Sequence, residues 1–182
     1  MSRMIFTLLF VAFALTTEAV SAQIRRSSAP GVQTRREIPR RHLNGPRFGF
    51  TVFTGDVADL RDQADLEPIM TQFGWQWETQ LMATPEGGQA LMEWVLLVGG
   101  MEQDEFNLSL GWLAGYRLES GIEFGVGPNL SYSRDSQETT SSMIFAAGAT
   151  LPFGEVSVPI TFALSAAKGG PRITALIGWI IG

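Results

Sequence analysis

The chain has 182 residues, a net charge of -5 and no cysteine. This length fits one domain, and the lack of cysteine excludes disulfides, thiolate metal sites and lipid attachment to an N-terminal cysteine. The net charge hides two opposite parts, because residues 23–46 contain six arginines against one acid, whereas residues 47–182 contain six basic residues against 16 acids. The sequence therefore predicts a basic segment ahead of an acidic domain.

Residues 1–22 have the features of a secretory signal peptide. Arg3 precedes the apolar run IFTLLFVAFAL, and Val20 and Ala22 supply the small residues expected before a cleavage site. The run has 11 residues, too few for a membrane-spanning helix, which needs about 20. We therefore predict export and cleavage near Ala22.

Residues 23–46 are predicted to form a disordered or loosely attached basic arm in the periplasm. The segment has prolines at 30, 39 and 46 and almost no apolar periodicity. Its arginines are suited to contact anionic lipid head groups, and a solvated tether is the favoured alternative. Nucleic acid is not expected as a partner, because the chain is predicted to be exported and the arm lacks aromatic residues for base stacking.

Eight stretches after the arm show the residue alternation of β-strands. In IMTQFGWQWETQLM, residues 69–82, aromatic and polar side chains alternate strictly. The predicted connections are about 14, 6, 5, 3, 7, 3 and 6 residues long, so every second one tends to be longer, as in outer-membrane barrels with an even strand count. The eight stretches lie at about 47–54, 69–83, 90–100, 106–118, 122–133, 141–151, 155–165 and 172–181.

The two faces of these strands differ in size and charge. One face is bulky, apolar and free of charge, whereas the other holds mostly small, mildly polar residues. The interior of an eight-stranded barrel is only just wide enough for side chains, so the small face is predicted to point inward, the reverse of a soluble lipocalin-like barrel. Residues 47–182 are therefore predicted to form an all-β fold, an eight-stranded antiparallel up-and-down transmembrane β-barrel. The aromatic residues predicted to face lipid are Phe73, Trp75, Trp77, Trp94, Trp112, Tyr116, Phe124, Tyr132, Phe162 and Trp179.

Six charged residues fall on the predicted inner face. A three-residue turn at 119–121, with Gly121 at positive φ, would pair Leu118 with Ile122 and hence Arg117 with Glu123. Five of the six charges are expected to cluster near the periplasmic end, with Arg172 nearer the outer end. The cluster is interpreted either as a plug or gate or, preferably, as a satisfied polar core. The six residues are Arg47, Glu78, Glu93, Arg117, Glu123 and Arg172.

No catalytic, cofactor or metal site is predicted. His42 is the only histidine and lies in the arm, which removes the usual general base from the barrel. Glu78 and Glu93 form an acid pair without a recognisable cleft. The acids at 56, 59, 62 and 65 are three residues apart, which suits a short helix capped by Asp56 with a solvated acidic face better than a calcium loop.

Several blocks resemble those of a group of small exported bacterial proteins predicted to be β-barrels. The blocks are IMTQFGWQWE, MEWVLLVGGMEQ, GIEFGVGPNLS and FAAGATLPFGEVSVPI, and the resemblance covers roughly 47–182. The architecture also resembles the small OmpA or OmpX type of barrel. These resemblances imply a fold and a location in the bacterial outer membrane, but no catalytic or binding residues.

The sequence thus predicts a non-enzymatic outer-membrane barrel with a structural, anchoring or surface-interaction role. Its expected partners are outer-membrane lipid and the barrel-insertion machinery. Two alternatives remain open: a narrow passage or binding barrel for a small or apolar molecule, and a soluble secreted barrel that binds a ligand inside.

Overall fold

The computed structural model describes residues 43–63, 67–85, 87–167 and 170–181. These ranges do not include the predicted signal peptide, the arm as far as His42, or Asp65. The side chain of Asp62 is likewise outside the described part. The structure contains strands β1 (Gly45–Phe53), β2 (Ile69–Ala83), β3 (Gln89–Gly99), β4 (Asn107–Arg117), β5 (Ile122–Ser133), β6 (Thr139–Phe153), β7 (Val156–Ala167), β8 (Gly170–Gly178) and β9 (Ile180–Ile181), helix α1 (Asp56–Gln63) and a 3-10 turn (Met101–Gln103).

The sheet is closed. Each of β1 to β7 pairs antiparallel with the next strand along the chain, and β8 pairs with β1. After a break at Trp179 the last strand continues as β9, which pairs with the start of β7. All eight predicted strands are present, so the eight-stranded antiparallel barrel is confirmed.

Closure requires the strands to tilt. Register partners can be followed from Glu78 on β2 through β3 to β8 and then to Phe53 on β1, which lies beside Pro68 just before β2. The circuit therefore ends ten residues from its starting point (78 − 68). Such a stagger goes with a strand tilt of about 35–45°. Residues that meet inside the barrel therefore need not be register partners. Arg117 lies four positions beyond Leu113, the β4 residue in the partner row of Glu78, and yet it contacts Glu78.

The two ends of the barrel differ. The helical end carries α1, the 3-10 turn and the connection 134–138. The turn end carries the short connections 118–121 and 154–155, together with the end of β2 and the start of β3. The predicted alternation of connection lengths is wrong for the seventh connection, which has two residues, because β7 and β8 stay paired as far as Ala167 and Gly170.

The α1 amides of Ala58 and Asp59 bond to the Gly55 carbonyl. Asp56 is thus the first helical residue and not the predicted cap.

The bulky face points outward, as the difference in size between the two faces predicts. Trp77 is 45% exposed and Phe162 is 59% exposed, whereas Gln76 and Glu78 are 4% and 5% exposed. Trp77, Trp94 and Trp112 are direct register partners on the outer surface. Among the described residues, no helix has the length and apolar character needed to cross a membrane.

Candidate functional site

Five of the six charged residues predicted for the lumen lie together in the turn half of the barrel. They come from five consecutive strands, β1 to β5, and all five are buried. Arg172 lies apart, at the helical end, where it is the partner of Phe53 in the register of β8 with β1. We call the five residues the charged layer: Arg47, Glu78, Glu93, Arg117 and Glu123.

Arg117 is the centre of the charged layer. Its Nη1 donates to Glu78 Oε1 at 2.9 Å, and its Nη2 donates to Glu78 Oε2. Its Nε and Nη2 also donate to Glu123 Oε2, at 2.9 and 2.7 Å. One guanidinium therefore binds one carboxylate in the bidentate fork geometry and a second through two further bonds, the arrangement that makes arginine–carboxylate contacts strong.

The local sequence explains half of this arrangement. The Leu118 amide donates to the Ile122 carbonyl at 2.8 Å, and Gly121 has φ 86. This turn sets Arg117 directly opposite Glu123. The contact with Glu78 joins strands that are not neighbours and depends on the strand tilt.

Arg47 bonds to neutral acceptors. Its Nε donates to Gln76 Oε1 at 3.0 Å, and its Nη2 and Nη1 donate to the carbonyls of Leu43 and Pro46, both at 3.1 Å. Leu43 and Pro46 belong to the segment predicted as arm, so the last residues of that segment pack on the barrel and β1 begins at Gly45. A Cβ at Gly178 would lie 2.5 Å from Arg47 Nη1; the missing side chain makes room for the guanidinium.

Glu93 has no comparable partner. It is 9% exposed and lies directly opposite Glu78 in the register of β2 with β3. No hydrogen bond to its carboxylate is found within the described ranges. Each of the three carboxylates offers an oxygen within 4.8 Å of the others. Two ionised carboxylates about 5 Å apart would repel by about 3 kcal/mol at an effective dielectric constant of about 20. With all three acids ionised, the two guanidinium groups would leave one negative charge unbalanced.

The rest of the lumen is packed with side chains. Leu91, Leu97, Leu113 and Leu176 are buried. Towards the helical end, hydroxyl and amide groups bond to one another: Thr51 with Thr174 at 2.6 Å, Gln72 with Thr51 at 2.9 Å, Ser109 with Asn129 at 2.8 Å, and Ser142 with Ser165 at 2.7 Å. The lumen is therefore a layered polar and apolar core.

A second polar cluster, not predicted from the sequence, closes the helical end. Arg61 of α1 donates to Glu105 Oε2 at 2.7 Å, to Gln103 Oε1 at 3.0 Å and to the Glu67 carbonyl at 2.8 Å. Its guanidinium also lies 4.5 Å from the centroid of the Phe53 ring. The only available signal is that Arg61 is the single base among the acids of the first connection.

Glu102 links the 3-10 turn to the start of β2. Its carboxylate accepts hydrogen bonds from the Thr71 amide, at 2.6 Å, and from the Thr71 hydroxyl, at 2.7 Å. Partial burial raises the pKa of Glu102, but the hydrogen bonds from Thr71 outweigh it and hold this pKa below its ordinary value. Asp56 and Asp59, by contrast, are exposed.

Comparisons of the chain with protein-family models, with curated proteins and with solved structures gave no match. The contacts and charges of the chain's own residues therefore carry the functional proposal.

Proposed function

We propose that the chain is a small bacterial outer-membrane β-barrel with a non-enzymatic structural, anchoring or surface-interaction role. The outward surface is the observation that carries this proposal. The outward positions of β1 to β8, all of them described, hold no Asp, Glu, Lys or Arg, and every charged strand residue points inward. Membrane barrels have an apolar outer band around a polar interior.

The height of the apolar band supports the proposal. The outward residues of β2 run from Ile69 to Leu81 and are all exposed. Twelve residue steps of ~3.3 Å span ~40 Å along the strand, and a tilt of about 40° reduces this to ~30 Å. The hydrocarbon core of a bilayer has about the same thickness.

The packed lumen favours a surface or structural role over transport. Arg117, Glu78 and Glu123 are bonded across the barrel axis, and Leu91 and Leu113 are buried beside them. A passage or an internal ligand would require these contacts to break. The predicted signal peptide and the resemblance to small exported barrel proteins support delivery to the outer membrane, with assembly by the barrel-insertion machinery and the arm in the periplasm.

Tryptophan quenching tests the proposal, because Trp75, Trp77 and Trp179 lie exposed on the outer surface. The test uses two single-tryptophan variants, which retain Trp75 or Trp77 with the other four tryptophans changed to phenylalanine, refolded into vesicles. Lipids brominated on the acyl chains are expected to quench the fluorescence, while aqueous iodide leaves it nearly unchanged. Strong iodide quenching without lipid quenching, together with recovery of the native protein in the soluble periplasmic fraction, would refute the membrane assignment.

A further inference from the structure

We propose that the charged layer binds one small, oxygen-preferring monovalent cation such as Na⁺, held by Glu93 together with Glu78 and Glu123. Carboxylate oxygens from the three residues lie within 4.8 Å of one another. Cations that take oxygen ligands at about 2.3–2.6 Å place opposite ligands about 4.6–5.2 Å apart. The spacing therefore suits a single ion between the three side chains.

The unpaired state of Glu93 is the observation that points to a ligand. Its side chain is nine-tenths buried, is aimed at the other two carboxylates and receives no hydrogen bond from any described residue. Four of the five N–H groups of Arg117 bond to Glu78 and Glu123, and the nitrogens of Arg47 donate to neutral acceptors. A buried carboxylate without a partner is costly, and either a bound cation or a proton at Glu93 would remove this cost.

The count of charges selects a monovalent ion. With all three carboxylates ionised, they and the two guanidinium groups sum to one negative charge, which one monovalent cation neutralises; a divalent ion would leave the layer positive, next to Arg117 and Arg47. Neutral oxygens are also available at this end of the lumen, since Gln80 Oε1, Gln89 Oε1 and Thr150 Oγ1 are buried without a partner in the described part of the chain.

Two glycines keep the free oxygens accessible. A Cβ at Gly148 would lie 3.2 Å from Glu123 Oε1, and a Cβ at Gly115 would lie 3.7 Å from Glu93 Oε1. Neither Glu93 oxygen nor Glu123 Oε1 accepts a bond from Arg117. These three oxygens are therefore free of Arg117 and can contact an ion without displacing the arginine.

The test measures unfolding of the full chain in detergent micelles as NaCl replaces choline chloride at constant ionic strength. Ligand that binds only the folded state lowers the unfolding constant by the factor 1 + [L]/Kd, so Na⁺ at ten times its Kd is expected to lower it about tenfold. Glu93→Gln should remove this dependence, whereas Glu119→Gln, an exposed acid in the 118–121 turn, should retain it. If Glu93→Gln does not fold, broadening of the ²³Na resonance by the wild-type protein, but not by micelles alone, provides the binding measurement.

Several outcomes would overturn the assignment. An unfolding constant that ignores Na⁺ but falls on acidification would show that a proton neutralises Glu93. A stronger response to Ca²⁺ or Mg²⁺ than to Na⁺ would refute the monovalent charge count, and an unchanged Na⁺ response in Glu93→Gln would place the ion elsewhere. The inference does not depend on the membrane location, because a soluble barrel would contain the same layer; tryptophan quenching and Na⁺ dependence can therefore fail separately.

Discussion

Replacing Arg117 by alanine is expected to destabilise the folded barrel by about 5 kcal/mol at neutral pH. Removing one partner of a buried ion pair typically costs about 3–5 kcal/mol, because the remaining charge is left uncompensated. Arg117 serves two buried carboxylates, Glu78 and Glu123, through four hydrogen bonds, so the expected cost lies at the upper end of this range. Total stabilities of proteins are about 5–15 kcal/mol, so the variant is expected to be close to unfolding.

The assay is equilibrium unfolding by urea in detergent micelles or vesicles, followed by tryptophan fluorescence and by the heat-dependent gel mobility of the folded form. Arg134→Ala provides the matched control, since Arg134 is exposed in the 134–138 connection, and its unfolding midpoint should not change. Arg117→Lys keeps the charge but loses the planar fork that binds two carboxylates, so an intermediate loss is expected.

A combined variant separates lost electrostatics from lost packing. In the background Glu78→Gln/Glu123→Gln, Arg117→Ala leaves no uncompensated carboxylate at these two positions, and its cost should fall by about 2 kcal/mol or more, as for buried pairs replaced together. A loss below about 1 kcal/mol for Arg117→Ala in the native background, or an equal loss in both backgrounds, would refute the reasoning.

Three further predictions concern other parts of the barrel. Gly178→Ala should lower the free energy of unfolding by about 1–3 kcal/mol through overpacking, because the new Cβ would lie 2.5 Å from Arg47 Nη1. Gly111→Ala is the control in the same urea titration and should lower it less, because the nearest atom to its Cβ lies at 3.4 Å. Phe162→Arg, at the middle of β7, should destabilise the vesicle-inserted barrel by about 2–4 kcal/mol and Thr139→Arg, at a strand end, by about 0–1; equal effects would contradict a lipid-facing band. The lowered pKa of Glu102 makes it stabilising above the unfolded value of about 4.3, so wild type should lose stability relative to Glu102→Gln as the pH falls through the folded pKa.

The sequence predicted the strands well because their alternation is strict and their turns are short. The register of β4 with β5 follows from Leu118, Ile122 and Gly121 alone, since only one loop length keeps both apolar residues on the outer face. The seventh connection was predicted wrongly, because β-pairing extends through residues such as Ala167 and Gly170 that carry no strong strand signal. Local patterns therefore fix register more reliably than they fix where pairing ends.

The charged layer was predictable only in part. The pair Arg117–Glu123 follows from a local turn, but the bidentate contact of Arg117 with Glu78 joins β4 to β2 and depends on a stagger that no single strand encodes. Some partners of Arg47 and Arg61 are backbone carbonyls, namely those of Leu43, Pro46 and Glu67. Such acceptors have no signature in the sequence, because every residue carries one.

The charged layer and the outer surface depend on the same geometric constraint. Eight tilted strands enclose a lumen that side chains just fill, and glycines make room for two of the long charged residues: Gly148 lies beside Glu123, and Gly178 lies beside Arg47. A guanidinium that crosses the lumen to bind two carboxylates then ties β2, β4 and β5 together without a large apolar core. Only a few bulky apolar residues, such as Leu91 and Leu113, fit in such an interior. The position of the others outside is stable only if the surroundings of the barrel are apolar as well. The polar lumen and the aromatic outer surface are therefore two consequences of the same number of strands. The outward-face substitution Phe162→Arg and the inward-face substitution Gly178→Ala consequently test one architecture from its two faces.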